Sequence, residues 1–123
     1  MQTKAKGRSA LERNIANNDA LVELTTPHLH IRVDNPNDNQ GKLRYSAWSA
    51  NKKVSDTPDI ILNNGRVFTN NGRNQRYVFN NGTYQYQLNV NSLGVNTVPT
   101  GTLEVFKNGL FFKREVATKV ISR

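Results

Sequence analysis

The segment "NNGRVFTNNGRNQRYVFNNGTYQYQ", residues 63–87, contains Asn-Asn-Gly three times, at 63–65, 70–72 and 80–82. Asn and Gly tolerate positive φ more readily than other residues, and a two-residue type I′ hairpin needs positive φ at both central positions. Each tripeptide therefore predicts a chain reversal. A repeated cation-binding loop would need acidic ligands at fixed offsets, and residues 63–87 hold no Asp or Glu. The repeats predict a meander with strands near 59–63, 66–70, 74–80 and 83–91.

Such turns fix the register, so each can be checked against its flanks. A loop at Asn81-Gly82 sets Phe79 opposite Tyr84 and Tyr77 opposite Tyr86, with Leu88 and Val90 continuing the apolar face. The reverse face then carries Arg76, Gln85, Gln87 and Asn89. A slip of one residue would mix the two faces. A fourth pair, Asn108-Gly109, sets Phe106 against Phe111 and Glu104 against Lys113. Asn64-Gly65 pairs Leu62 with Val67. Asn71-Gly72 pairs Phe68 with Gln75, a poor match that predicts a wider or bulged turn.

Away from the repeats the period is also two. "ALVELTTPHLHIRVD", residues 20–34, reads as two strands broken at Pro27, the second with Leu29, Ile31 and Val33 on one face. "NPNDNQG", residues 35–41, is a loop. In "KLRYSAWS", residues 42–49, Leu43, Tyr45 and Ala47 alternate with Lys42, Arg44, Ser46 and Trp48. Before these strands, Ser9 and Glu12 match a capping box, which predicts a short helix over about 10–17 with Leu11 and Ile15 on one face. The expected organisation is a mobile basic segment, 1–19, followed by a single all-β domain, 20–123. The fold class is an antiparallel β-sandwich of seven to nine short strands, with a small β-barrel as the alternative.

At 123 residues the chain is long enough to bury a core without staples. It has no Cys, which rules out disulfides, thiolate metal sites and a cysteine nucleophile. Its 18 asparagines favour turns over helices. No apolar run is long enough to span a membrane as a helix, and the first residues lack the apolar core of a signal peptide. The net charge of +8 attracts polyanions, namely nucleic acid, anionic lipid or acidic polysaccharide. Lys4, Lys6, Arg8 and Arg13 crowd one end, and most of the remainder are scattered.

Catalytic signatures are missing. There is no Gly-x-Ser-x-Gly elbow, no Gly-rich loop opening a helix and no cofactor motif. His28 and His30 have the i, i+2 spacing that would place two imidazoles on one face of a strand. Glu23, Asp34 or Asp38 would have to complete a metal site, and none is at a diagnostic spacing. Outward-pointing polar residues beside Leu29 and Ile31 explain the pair more simply. Two binding patches remain. Trp48 falls on the polar parity beside Arg44, which predicts an outer-face or edge indole. Arg76, Gln85, Gln87 and Asn89 form a flat strip of donors and acceptors suited to a carbohydrate or a protein, or simply to solvent.

The motifs "LRYSAWSANKKVSDTPDIILNNGRV", "YVFNNGTYQYQLNVNSLG" and "GTLEVFKNGLFF", between Leu43 and about Ala117, resemble those of small all-β proteins from Bacteroidetes-type bacteria. These are usually exported and of unassigned function. The shared features are a Tyr-x-x-Trp-Ser strand, a Pro-Asp-aliphatic strand start and two aromatic Asn-Gly hairpins. The resemblance implies a fold and an exported, periplasmic or cell-surface setting, and it transfers no catalytic residue. The expected function is a non-enzymatic binding or accessory module for a glycan or protein. The alternatives are a polyanion-binding protein and a His-dependent metalloenzyme.

Overall fold

The structure, a computed structural model, describes residues 10–36, 42–70, 74–91 and 99–122. A helix α1 (Ala10–Asn17) precedes nine strands: β1 (Ala20–Thr25), β2 (Leu29–Asp34), β3 (Leu43–Ser49), β4 (Ile60–Asn70), β5 (Asn74–Asn81), β6 (Tyr84–Asn91), β7 (Thr100–Lys107), β8 (Leu110–Val116) and β9 (Lys119–Ser122). All ladders are antiparallel, in one sheet of order β8-β7-β6-β5-β4-β3-β2-β1-β9. Every successive pair of strands is adjacent except β8 and β9, which stand at opposite ends of the order. Only Ala117 and Thr118 join those two. Ala117 N donates to Gly101 O at 2.9 Å on β7's side, and Thr118 N donates to Thr25 O at 2.7 Å on β1's side. The sheet therefore curls, with β9 pairing with β1 while β8 and β9 remain its two edges.

The sandwich and barrel expectations meet in this arrangement. Strand β4 pairs with β3 through Ile60–Leu62 and Gly65, then with β5 from Arg66 to Asn70. It thus passes from one half of the curl to the other, and the two halves face each other across a shared core. Here one sequence expectation fails: Asn64-Gly65 is a bulge and not a hairpin, so the strands expected at 59–63 and 66–70 are one. Asn64 has φ 61°, and the ladder steps from Leu43↔Gly65 to Tyr45↔Leu62, which inserts one extra residue in β4. Gly65 also lies directly under the Phe79 ring, where a Cβ would meet Cε2 at 2.0 Å.

The core is built from inward residues of both halves. Val22, Leu24, Ile31, Val33, Tyr45 and Ala47 come from one side, and Tyr77, Phe79, Leu88, Val90, Leu103 and Val105 from the other. Tyr45 bridges them, with ring centroids 5.4 Å from Phe79 and 5.5 Å from Tyr86. The β5–β6 hairpin has the expected faces and a different register. Asn81 pairs with Tyr84 and Phe79 with Tyr86, so Gly82-Thr83 is the two-residue loop, with positive φ at Gly82 alone (64°). That single positive φ marks a II′-type turn. A two-residue shift preserves strand parity, which is why the faces survive. Tyr84 is consequently a diagonal neighbour of Phe79 and not its direct opposite.

The β7–β8 hairpin turns at Asn108-Gly109, with φ 52° and 81°, both positive as a type I′ turn demands. It sets Phe106 opposite Phe111. A bulge then moves Glu104 opposite Arg114 in place of Lys113. Strands β4 and β5 pair out to Asn70↔Asn74, so their connection takes three residues and is wider than a two-residue turn. Residues 71–73 themselves, most of the 35–41 loop, Asp38 and Ser9 of the capping box lie outside the described residues.

Part of the outer face of the first half is covered. Helix α1 lies over β2: Arg32 donates from Nη1 to Ile15 O (2.8 Å) and from Nη2 to Asn18 O (3.0 Å). Ile15 is buried, whereas Leu11, expected on the same face, is 49% exposed. The connection 50–59 lies over the end of β3, where Trp48 Nε1 donates to Asp56 O at 2.8 Å.

Candidate binding surface

Among the described residues no such cover lies over the outer face of β5–β8, and its side chains are those that alternate with the core. Arg76 faces Asn89, Gln87 faces Glu104, and Glu104 faces Arg114. Lateral bonds link them. Arg76 Nε donates to Asn89 Oδ1 (3.1 Å), Asn89 Nδ2 to Glu104 Oε1 (3.4 Å), and Arg114 Nε and Nη2 to Glu104 Oε2 (3.0 and 2.8 Å). In the neighbouring row Gln87 Nε2 donates to Gln85 Oε1 (2.7 Å) and Gln85 Nε2 to Asn80 Oδ1 (3.3 Å). A carboxamide has two N–H donors and two oxygen lone pairs. Asn89 and Gln85 each make one lateral bond in each direction, whereas Gln87 donates one and Asn80 accepts one. These bonds orient the groups and leave half or more of their capacity for an external partner.

Towards the hairpin tips the face deepens into an open groove of about 360 Å³, lined by Asn80, Gln85, Gln87 and Phe106 and closed by the turns at Gly82-Thr83 and Gly109. Asn108 N donates to Thr83 O at 2.9 Å, so the two tips are tied together. Phe106 meets Phe111 edge to face at 6.1 Å. The groove therefore combines oriented amides with an aromatic ring.

Of the six residues singled out in the sequence, Arg76, Gln85, Gln87 and Asn89 come together on this face. Trp48 and Arg44 do not, and their expected exposure is corrected. Trp48 is fully buried, its ring 5.9 Å from that of His30. Arg44 is 2% exposed, with Nε donating to Asp34 Oδ1 at 2.9 Å and Nη2 to Oδ2. Asn18 Nδ2 completes the cluster by donating to Asp34 Oδ2 at 2.9 Å. Both residues do lie on the outward parity of β3. They are buried because the segment after α1 and the 50–59 connection lie over that parity.

The histidines do not form a pair. His28 precedes β2, in the turn, and its Nδ1 lies 3.3 Å from Glu115 Oε2, while His30 Nε2 lies 3.2 Å from Glu23 Oε1. Thr26 holds that turn, accepting from His28 N and Leu29 N at 3.1 and 3.0 Å and donating to Glu115 Oε1. Among the described residues no three His, Asp or Glu side chains gather at ligand distance.

Sequence reasoning missed Asn80 and Phe106. The Asn108-Gly109 turn does predict the partner of Phe106 on β8. Its juxtaposition with Gln85 depends on the β6–β7 register, across a connection with no two-residue turn to fix it.

Protonation on the scaffold follows environment. Burial pushes the Tyr45 and Tyr77 hydroxyls upward, so both phenols keep their protons at neutral pH. Asp59 moves the other way, to about 2, through hydrogen bonds from the Lys52 side chain and then from Ser49. Its Oδ2 takes Ser49 N and Oγ, each at 2.7 Å, and its Oδ1 takes Lys52 Nζ at 2.5 Å. This carboxylate organises the covering connection. Among the described residues no helix is long and apolar enough to cross a membrane. Compared with protein-family models, curated proteins and solved structures, the chain matches none.

Proposed function

We propose that this chain is a non-enzymatic, exported binding module that recognises a glycan on the outer face of β5–β8. The observation that supports this most directly is the groove between the tied hairpin tips, where Asn80, Gln85 and Gln87 stand beside Phe106. Sugar hydroxyls donate and accept at once, as carboxamides do, and the C–H face of a pyranose matches an aromatic ring. The lateral bonds hold the amides in place before any ligand arrives, which lowers the ordering cost of binding. The exported setting rests on the resemblance of the strand and hairpin motifs.

A glycan array probed with the full chain tests this reading, followed by titration calorimetry on any hit with Gln87→Ala and Phe106→Ala. Loss of about 1 kcal/mol or more for each is expected, since each removes a groove contact. An empty array together with a specific protein captured through the same residues would instead make the partner a protein.

Polyanion binding is the second reading, motivated by the +8 charge. Part of the basic inventory is already engaged: Arg32 and Arg44 serve the fold, and Arg114 and Lys52 are paired. Retention on heparin that falls steeply with salt would favour it, because binding to a polyanion releases counterions.

A further inference from the structure

The tip of the β7–β8 hairpin is apolar on both faces. Phe111 stands with Phe106 on the outer face, whereas Leu110 pairs with Lys107 on the other parity and Phe112 meets the Tyr84 ring edge-on at 5.7 Å. Leu110, Phe111 and Phe112 are 73%, 59% and 54% exposed. A flat protein partner covers one side of a ribbon, whereas three consecutive apolar side chains wrapping both sides of a tip suit a medium that surrounds it.

The charges at the tip are positive. Lys107 and Lys113 flank the apolar residues, with Lys107 Nζ 5.5 Å over the Tyr84 ring. The two acids of this hairpin lie farther from the turn and are engaged, Glu104 by Arg114 and Glu115 by Thr26 and His28. We propose that this tip docks on the surface of an anionic lipid bilayer. Leu110, Phe111 and Phe112 enter the boundary between headgroups and acyl chains, and Lys107 and Lys113 lie against the lipid phosphates. This is peripheral attachment at a tip that adjoins the glycan groove, since Phe111 packs on Phe106. Leu110, Phe112, Lys107 and Lys113 do not line the groove, so changes at these four positions test it separately from that reading.

Flotation of the full chain with phosphatidylserine-rich vesicles and with phosphatidylcholine vesicles tests it. Binding to the anionic vesicles is expected, and it should weaken with added salt. Leu110→Ser with Phe112→Ser should weaken it about a hundredfold, at roughly tenfold for each apolar side chain. Lys107→Glu with Lys113→Glu should weaken it by more than about twentyfold, each lost lysine alone being worth about fivefold. All four positions are exposed, so the unfolding midpoints should stay near that of the parent. If the serine variant loses its fold, the lysine variant still decides the question. No binding to anionic vesicles would overturn the proposal, as would binding indifferent to the serine changes. So would lipid-free self-association abolished by those changes, which would make a second copy the occupant.

Discussion

On β3 the outward side chains Arg44, Ser46 and Trp48 are 2%, 1% and 0% exposed, whereas on β6 Gln85, Gln87 and Asn89 remain in partial contact with solvent. Both strands send Tyr and aliphatic residues inward, Leu43, Tyr45 and Ala47 in one case and Tyr86, Leu88 and Val90 in the other. What separates them is the cover. Over β3 lie the segment following α1 and the 50–59 connection, and over β6 the described residues place nothing. Under this cover the charged group is paired, Arg44 being held by Asp34, itself bound by Asn18, whereas the buried Ser46 Oγ has no hydrogen-bond partner. In the open, similar groups need only orient one another. The first half of the curl thus uses much of its outer face for stability, and the second leaves its outer polar groups in partial contact with solvent.

The largest test of this contrast is Asp34→Ala. It leaves Arg44 buried without a partner and should cost about 3–5 kcal/mol in urea unfolding. Glu104→Ala on the bare face removes the bidentate partner of a half-exposed Arg114 and should cost within about 1 kcal/mol. Similar losses at both sites would erase the distinction. Next comes Gly65→Ala, which drives a methyl into the Phe79 ring where β4 passes between halves. A loss of about 1–3 kcal/mol or more is expected from overpacking, read as a lower denaturation midpoint.

A smaller effect is expected in acid. The Asp59 carboxyl lies at about 2, below its ordinary 3.8. A lowered value means that the folded connection favours the carboxylate. Its contribution is therefore complete above pH 3.8 and is lost as pH falls to 2. Trp48 emission should report the loosening over that window, because the indole donates to Asp56 in the same connection. In Asp59→Asn the step at that pH should vanish. Smallest is Gln87→Ala, expected to move stability by no more than about 0.5 kcal/mol while weakening any ligand of the groove. A large loss of stability there would mean that the lateral amide bonds serve the fold after all.

Several features were legible from local chemistry. The Asn108-Gly109 reversal, the pairing of Phe106 with Phe111, the short helix over 10–17 and the shared face of Arg76, Gln85, Gln87 and Asn89 each depend on a turn type or on strand parity. The Gly82-Thr83 loop shows the limit of that logic. Parity survived a two-residue shift and the cross-strand partners did not, because Asn-Gly-Thr accommodates either of two adjacent turns. Asn64-Gly65 shows the same limit differently: positive φ serves a bulge as well as a hairpin, and the Phe79 ring above Gly65 belongs to another strand.

The sequence alone determined which residues of each strand point the same way, since a side-chain period of two needs no knowledge of the rest of the chain. Tertiary structure decided which of those faces meets water. Trp48 and Gln87 both point outward, and the way the 50–59 connection folds back helps to bury the first, while among the described residues nothing covers the second. Exposure depends on what the whole chain brings to a face, and no local pattern encodes that.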